Sequence, residues 1–294
     1  MNEVSKKTPL GGISIHAPAK INLYLNVIDR RFDGYHEIDS LVGFTAHGDL
    51  IQAKQHDKLY FQINGPFGSS LQVNDDNLIV RAARALVKET SYAGGAHITL
   101  KKNLPVASGV GGGSADAAAT LKALNLLWKT GLADEELVAL GLKLGADIPV
   151  CILSKTARMS GIGERVSKVE NLPSLGVLLI NPRIPISTFK VFQMHRGNFS
   201  SKTKLQSIGD TEALYEFLAS QKNDLQDLAI QITPEIGEVL DTLSAEPDCR
   251  LVRLSGSGAT CFGLFDNETS AKASGRSISK NYPNWWVQPT HFIS

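Results

Sequence analysis

A chain of 294 residues is long enough for one large domain or two of ordinary size, with a sizeable core. Its 43% hydrophobic and 20% charged residues match a soluble globular protein and exclude a disordered one. A formal charge of +1, with scattered basic residues, gives no electrostatic reason to expect nucleic acid or membrane as a partner. Pairs such as Lys101-Lys102 read as solvated surface. Cys151, Cys249 and Cys261 are odd in number and lack CxxC spacing, so neither a metal cage nor a disulfide framework is expected, and a reducing cytoplasm is the simplest compartment. No uncharged apolar run reaches the ~18 residues of a transmembrane helix. The opening MNEVSKKTPLGG lacks the apolar core of a secretory signal, and residues 1–12 read as a loose leader.

In chain order, ISIHAPAKINLYLNVI (13–28) alternates β-forming residues and predicts a strand broken at Pro18 and resumed after it. RRFDGYHEI places a turn at Asp33-Gly34, and DLIQAKQHDKLYFQING offers two more alternating stretches. DNLIVRAARALVKET switches to helical spacing, with Asp76 as cap and Leu78, Val80, Ala83 and Leu86 on one side. AHITLKKNLPV is a strand. LPVASGVGGGSADAAATLKALNLLW (104–128) then brings a glycine run and a helix expected from Ala115 to Trp128. DEELVALGLKLG predicts an amphipathic helix stopped at Gly145, GADIPVCIL leads into a strand, and ARMSGIGERVSKV reads as strand, turn, strand. Beyond residue 170 the pattern restarts with a strand GVLLINP, helices at 211–222 and 234–245, and strands RLVRLSG and TCFGLF. A helix SAKASGRSISKN and a strand WWVQPTHFI close the chain, with Trp285 and Trp286 expected in the core. The whole reads as α+β in two halves.

Three readings compete for the glycine run. One is a flexible loop. A second is a dinucleotide turn, but counting GxGxxG from Gly109 puts Ser114 where the last glycine belongs, and no acidic strand end follows. A Walker A loop fails as well, because no lysine follows the last glycine. The third is an anion cradle: glycine amides turn inward without a Cβ in the way, and the helix start adds its amides and positive dipole end. Ser114 at the junction is either an N-cap or a hydroxyl facing phosphate or magnesium. Asp116 suits the dipole but would repel a phosphate directly ahead. A second cluster, LSGSGATCF (254–262), is either a bulged hairpin or a second loop converging on the same polyanion.

Among seven histidines no HExxH or HxxxH stands out. Phosphoryl transfer, if the loop holds a triphosphate, needs Mg²⁺, a cation on the moving charge and a carboxylate aimed at the acceptor hydroxyl. GADIP offers Asp147 at a corner, read either as an Asx cap or as that carboxylate. PAKINL puts Lys20 and Asn22 on one face of a strand, and a lysine buried beside Asp147 would keep the acid ionised.

PAKINLYL, PVASGVGGGSADAAA and LSGSGATCF occur in this order, and through them the chain resembles the GHMP kinase superfamily over nearly its whole length. Within it, RRFDGYHEI, DNLIVRAARAL, GGGSADAAATLKALNLLW and LGADIPV resemble the branch that phosphorylates 4-diphosphocytidyl-2-C-methyl-D-erythritol at its 2-hydroxyl in the non-mevalonate isoprenoid route. One departure is Ala115, where many superfamily members carry a second serine, which leaves Ser114 as the hydroxyl toward Mg²⁺.

The resemblance implies an α+β, two-domain GHMP kinase fold. Residues 13–165 would form an ATP-binding domain of ribosomal-protein-S5-domain-2-like fold, and 166–294 a ferredoxin-like domain, with the active site between. It implies ATP on Pro105, Val106, Ala107, Ser108, Gly109, Val110, Gly111, Gly112, Gly113 and Ser114, with adenine near Asn77. Asp147 would be the base and Lys20 its cationic neighbour. Asn22 would hold the methylerythritol, and the cytosine would stack on Tyr35, be read by His36, and meet Phe192 as a second face. Without the resemblance, Tyr35 and His36 read as a turn exposing ordinary polar residues. The partners implied are small molecules, with no nucleic acid or membrane, and a monomer or weak homodimer. Two rivals remain: a homoserine- or mevalonate-type kinase, which has no use for a base-stacking tyrosine, and a non-catalytic nucleotide-binding regulator, against which Lys20 and Asp147 argue.

Overall fold

The computed structural model describes residues 5–7, 12–169, 173–204 and 210–293. The chain forms two compact units, Met1–Ala19, Gly48–Val106 and Gly111–Ser154 in one, Lys20–His47, Ala107–Val110 and Lys155–Ser294 in the other. Two long strands, β2 (Ile13–Arg30) and β3 (His36–His56), supply residues to both.

In the first unit, β1 (Ser5–Lys7) pairs antiparallel with the start of β2. The end of β3 pairs antiparallel with β5 (Gly95–Lys101), which takes β4 (Tyr60–Asn64) in parallel on its other side. Four helices pack on one another: α1 (Leu78–Thr90), α2 (Gly112–Trp128), α3 (Asp134–Leu142) and α4 (Ile148–Leu153). Ile79, Val80, Ala82, Ala83 and Leu86 line the buried side of α1. α2 buries alanines almost all round, including Ala115, Ala117, Ala118 and Ala119, as a central helix must.

In the second unit, the start of β3 pairs with β6 (Ala157–Gly161), which turns back into β7 (Arg165–Lys168). A separate antiparallel sheet runs in the order β11 (Trp286–His291), β8 (Gly176–Asn181), β10 (Cys261–Phe265), β9 (Leu251–Leu254). α5 (Thr188–Met194), α6 (Thr211–Ala219), α7 (Gln226–Ile232), α8 (Glu235–Ser244) and α9 (Glu268–Asn281) complete it. Leu178, Ile180, Ile236, Val239, Leu243, Phe265 and Ile278 belong to one core cluster. Trp286 is buried, and Trp285 packs against the core while stacking on Tyr282 at 3.9 Å.

Several expectations fail for identifiable reasons. β2 runs unbroken through Pro18: a φ near −65° lies within the β region, so proline gives up only a donor there. GADIPVCIL continues into α4 and not a strand, because Pro149 sits at the helix start where its missing N–H has no intrahelical role. An apolar run this short has no periodicity to distinguish the two. The cap of α1 is Asn77, whose side chain accepts from Ile79 N at 3.1 Å, in place of Asp76. Helix α2 begins at Gly112, three residues before the expected start, with Gly111 as N-cap in the left-handed region (φ 64°). Ser114 therefore lies inside the first turn and is not the cap. α5 and α7, seven residues each, had no sequence signal because so short a helix shows less than two full periods. Of the expected leader, residues 1–4 and 8–11 lie outside the described residues. Among the described residues no helix is long and apolar enough to cross a membrane.

Candidate active site

In the second unit, three backbone segments meet around Lys20 and Asn22. Lys20 N donates to Val110 O at 2.9 Å, tying β2 to the segment 107–110. Asn22 N donates to Ser255 Oγ at 3.2 Å, and that hydroxyl donates to Gly109 O at 2.9 Å. Thr260 N donates to Ser108 O at 3.0 Å. The two glycine clusters thus converge, and the second is also the hairpin loop between β9 and β10, which pair at Leu254 and Cys261. Gly109 is required by both conformation and space: its φ is +78°, and a Cβ there would stand 2.3 Å from Ser255 O.

Lys20 and Asn22 are 5% and 1% exposed, a level at which an ammonium needs partners. The Lys20 Nζ donates to Asn22 Oδ1 at 3.1 Å, while Asn22 Nδ2 donates to Ser40 Oγ at 2.8 Å. Ser40 thereby fixes which end of the amide faces the lysine. Behind them Asp39 receives Arg158 on both oxygens, at 2.6 and 2.7 Å, and the amide of Thr203 at 2.6 Å.

In the first unit, the amides of Gly112, Gly113 and Ser114 precede the first intrahelical bond of α2, Ala115 N to Gly111 O, at the positive end of a helix of 17 residues. Such a helix start, opened by a left-handed glycine, is an anion site in form. Pro105 is buried, Val106 half-buried, and Ala107 exposed at φ 51°. Asp147 is half-buried at the head of α4 and makes no cap hydrogen bond to it, so the Asx-cap reading falls away. Asn77 caps α1.

His36 and Phe192, the expected base reader and second face, lie with ring centroids 5.3 Å apart, and His195 meets His36 edge-on at 5.9 Å. Phe199 stacks on His195. Burial lowers the pKa of both imidazoles, so they are neutral at pH 7. His36 Nε2 and His195 Nδ1 are buried without a hydrogen-bond partner among the described residues. Tyr35, at the end of the Asp33-Gly34 turn, is 61% exposed, as a stacking surface for an incoming ring needs to be.

Residues 77–155 match the GHMP kinases N terminal domain family and residues 203–284 the GHMP kinases C terminal family. The 4-diphosphocytidyl-2-C-methyl-D-erythritol kinase of Rhodospirillum rubrum is 45% identical over 94% of this chain and 91% of its own. That of Paramagnetospirillum magneticum is 43% identical over 96% and 99%. The chain belongs to the 4-diphosphocytidyl-2-C-methyl-D-erythritol kinase family of the GHMP kinases. A crystal structure of 4-(cytidine 5'-diphospho)-2C-methyl-D-erythritol kinase, 30% identical, superposes with a TM-score of 0.79 over 96% of this chain and 100% of that one. A homoserine kinase from Cytophaga hutchinsonii, 16% identical, shares the fold at 0.74 over 98% and 96%.

In this member of the family, sequence reasoning passed over Ser40, Asp49, Ser255 and His195, and did not join Lys102 and Asp116 into one buried cluster with Asp49. Lys102 is not solvated surface: it is 2% exposed and bonded to both aspartates. Burial opposes its charge, but the two carboxylates outweigh that and hold its pKa above the ordinary lysine value. No local signal marked this cluster, because Asp49 and Asp116 lie 53 and 14 positions from Lys102.

Proposed function

We propose that the protein is an ATP-dependent kinase that phosphorylates the 2-hydroxyl of 4-diphosphocytidyl-2-C-methyl-D-erythritol. The observation that carries this reading is the seating of Lys20 and Asn22 against both glycine loops through Ser255 and Gly109. A buried, oriented ammonium next to a glycine cradle is what transfer of a phosphoryl group asks of a protein.

In the proposed reaction the triphosphate lies on the loop 105–114 and the adenine near Asn77. Asp147 accepts the proton of the 2-hydroxyl as the oxygen attacks the γ-phosphorus. The bond to the β,γ-bridging oxygen breaks, and ADP leaves with that electron pair. Lys20 steadies the charge that develops, and Asn22 holds both the lysine and the sugar-alcohol part. Among the described residues no group of three or more His, Cys, Asp or Glu could hold a metal ion. The donors offered are one hydroxyl, Ser114, and phosphate oxygens, a set that suits Mg²⁺, which keeps several waters. The ion supplies charge neutralisation on the phosphates.

Tyr35, His36 and Phe192 would receive the cytosine. That aromatic group favours this substrate over homoserine or mevalonate, which carry no flat base. A substrate panel tests the reading. Turnover with the cytidine compound and none with homoserine or mevalonate is expected; turnover of either small alcohol in its place would refute the assignment.

A further inference from the structure

Asp49 is fully buried, and its two oxygens divide their work. Oδ1 accepts the amides of Asn103 at 2.5 Å and Leu104 at 2.9 Å, the residues that lead into the glycine loop. Oδ2 accepts Lys102 Nζ at 2.5 Å, and the same ammonium donates to Asp116 Oδ2 at 2.7 Å, on α2 beyond the loop. Gly112, the first residue of α2, rests against that ammonium: a Cβ there would lie 3.0 Å from Nζ. One ion cluster therefore holds the loop's entry at 103–104 and its exit at 112–116. The three side chains are 3, 0 and 3% exposed.

Stability is a poor explanation for such a cluster. Taking an ion pair and a further acid out of water often costs more than an apolar replacement would, and a buried ion pair is weak evidence of net stabilisation. The second acid is held there against its own ionisation: burial, aided by the Asp49 carboxylate, pushes the Asp116 pKa up to about 8 despite the lowering pull of Lys102. Asp116 Oδ1 is buried with no hydrogen-bond partner among the described residues. The charged groups around Asp116 are Lys102 and Asp49, while the faces that α1, α3 and α4 bury are uncharged. What the arrangement secures is a fixed distance between the two ends of the loop.

We propose that Asp49, Lys102 and Asp116 are positioning residues for the nucleotide, a staple that sets the direction in which the first amides of α2 meet the phosphates. This inference rests on the reading of the loop as the ATP site. None of the three touches the reacting atoms; they act through the loop.

Asp116→Ala tests it, since the change is helix-compatible and leaves Lys102 and Asp49 as a balanced pair. The expected result is a rise in KM for ATP of about tenfold, with kcat and the KM for the cytidine substrate nearly unchanged. Asp116→Asn, whose amide oxygen still accepts from Lys102, is expected to restore the ATP KM. An unmoved ATP KM in Asp116→Ala overturns the staple, and so does a loss of kcat with both KM values unchanged, the mark of a merely structural role. Should Asp116→Ala fail to fold, Asp49→Asn decides the matter. It keeps the volume but sets an amide donor against the ammonium or the two backbone N–H groups; an elevated ATP KM supports the staple and a normal one overturns it. Wild-type turnover separates the two readings. If it is present while the ATP KM of Asp116→Ala stays put, only the staple falls; if it is absent, the functional reading falls and the staple's role with it.

Discussion

Lys20 and Asn22 stand two residues apart on one face of β2, and the lysine donates to the asparagine's side-chain oxygen at 3.1 Å with both buried. A strand's period of two makes that meeting possible, and Ser40 makes it one-sided by taking the amide nitrogen. The ammonium is thus held in place before any ligand arrives. Lys20→Met should lower kcat by roughly 10²–10³, the usual loss when one preorganised donor to developing charge is removed. Asn22→Ala, which deletes a hydrogen bond to a charged group, should cost about 1.5–3 kcal/mol of stability in urea unfolding. Normal kcat in Lys20→Met would remove that residue from the chemistry.

Gly109 and Ser255 give a second prediction. Alanine at 109 would keep a φ of +78° that a side chain resists and would press its Cβ to 2.3 Å from Ser255 O. Backbone strain of this kind costs about 1–3 kcal/mol, and relieving the contact must push the two glycine clusters apart. Gly109→Ala should therefore lower Tm and weaken stabilisation by MgATP in thermal-shift titrations. A variant indistinguishable from wild type in both would show that the loops tolerate separation.

His36 and His195 predict the response to acid. Burial holds both below the ordinary histidine value, so the folded protein prefers the neutral rings. Their contribution is present in full above the unfolded pKa of ~6.5 and is lost as pH falls through the lower folded values. Protonating both would also place two like charges on rings 5.9 Å apart. Stability measured by urea unfolding should stay level from pH 8 to 7 and fall toward pH 5, and the double variant His36→Gln, His195→Gln should flatten that fall. An unchanged slope in the double variant would assign the acid sensitivity elsewhere.

The legible part of this molecule was whatever repeats along the chain. Alternation announced β2 and the end of β3; an apolar run announced β8; helical spacing announced α1; and glycine clusters announced both loops. Strand period put Lys20 and Asn22 on one face of β2, whereas His36 and Phe192 were named only through the family resemblance. What depended on distant partners was not legible. Ser255 matters because its hydroxyl sits between Asn22 and Gly109, residues 233 and 146 positions away in sequence. Lys102 read as surface because nothing local says that Asp49 and Asp116 close over it. The start of α2 was misplaced because glycine is a poor helix former in general yet harmless where amides need no helical partner. α4 was misread for a similar reason, a proline tolerated at a helix start and nowhere deeper.

The role proposed for Asp147 is open to direct measurement. Asp147→Asn keeps the shape of the α4 entrance and removes the proposed base, so kcat should fall by about 10²–10⁴ with little change in ATP affinity. Near-normal turnover would take Asp147 out of the mechanism.

The proposed kinase activity is tested most directly by the stoichiometry and position of phosphate transfer. The purified protein is incubated with MgATP and 4-diphosphocytidyl-2-C-methyl-D-erythritol, and the products are resolved by ³¹P NMR and mass spectrometry. One ADP is expected per substrate consumed, with a new phosphomonoester at the 2-hydroxyl and the cytidine diphosphate link intact. ADP formation independent of the cytidine compound, or a phosphate carried at any other position, would contradict it.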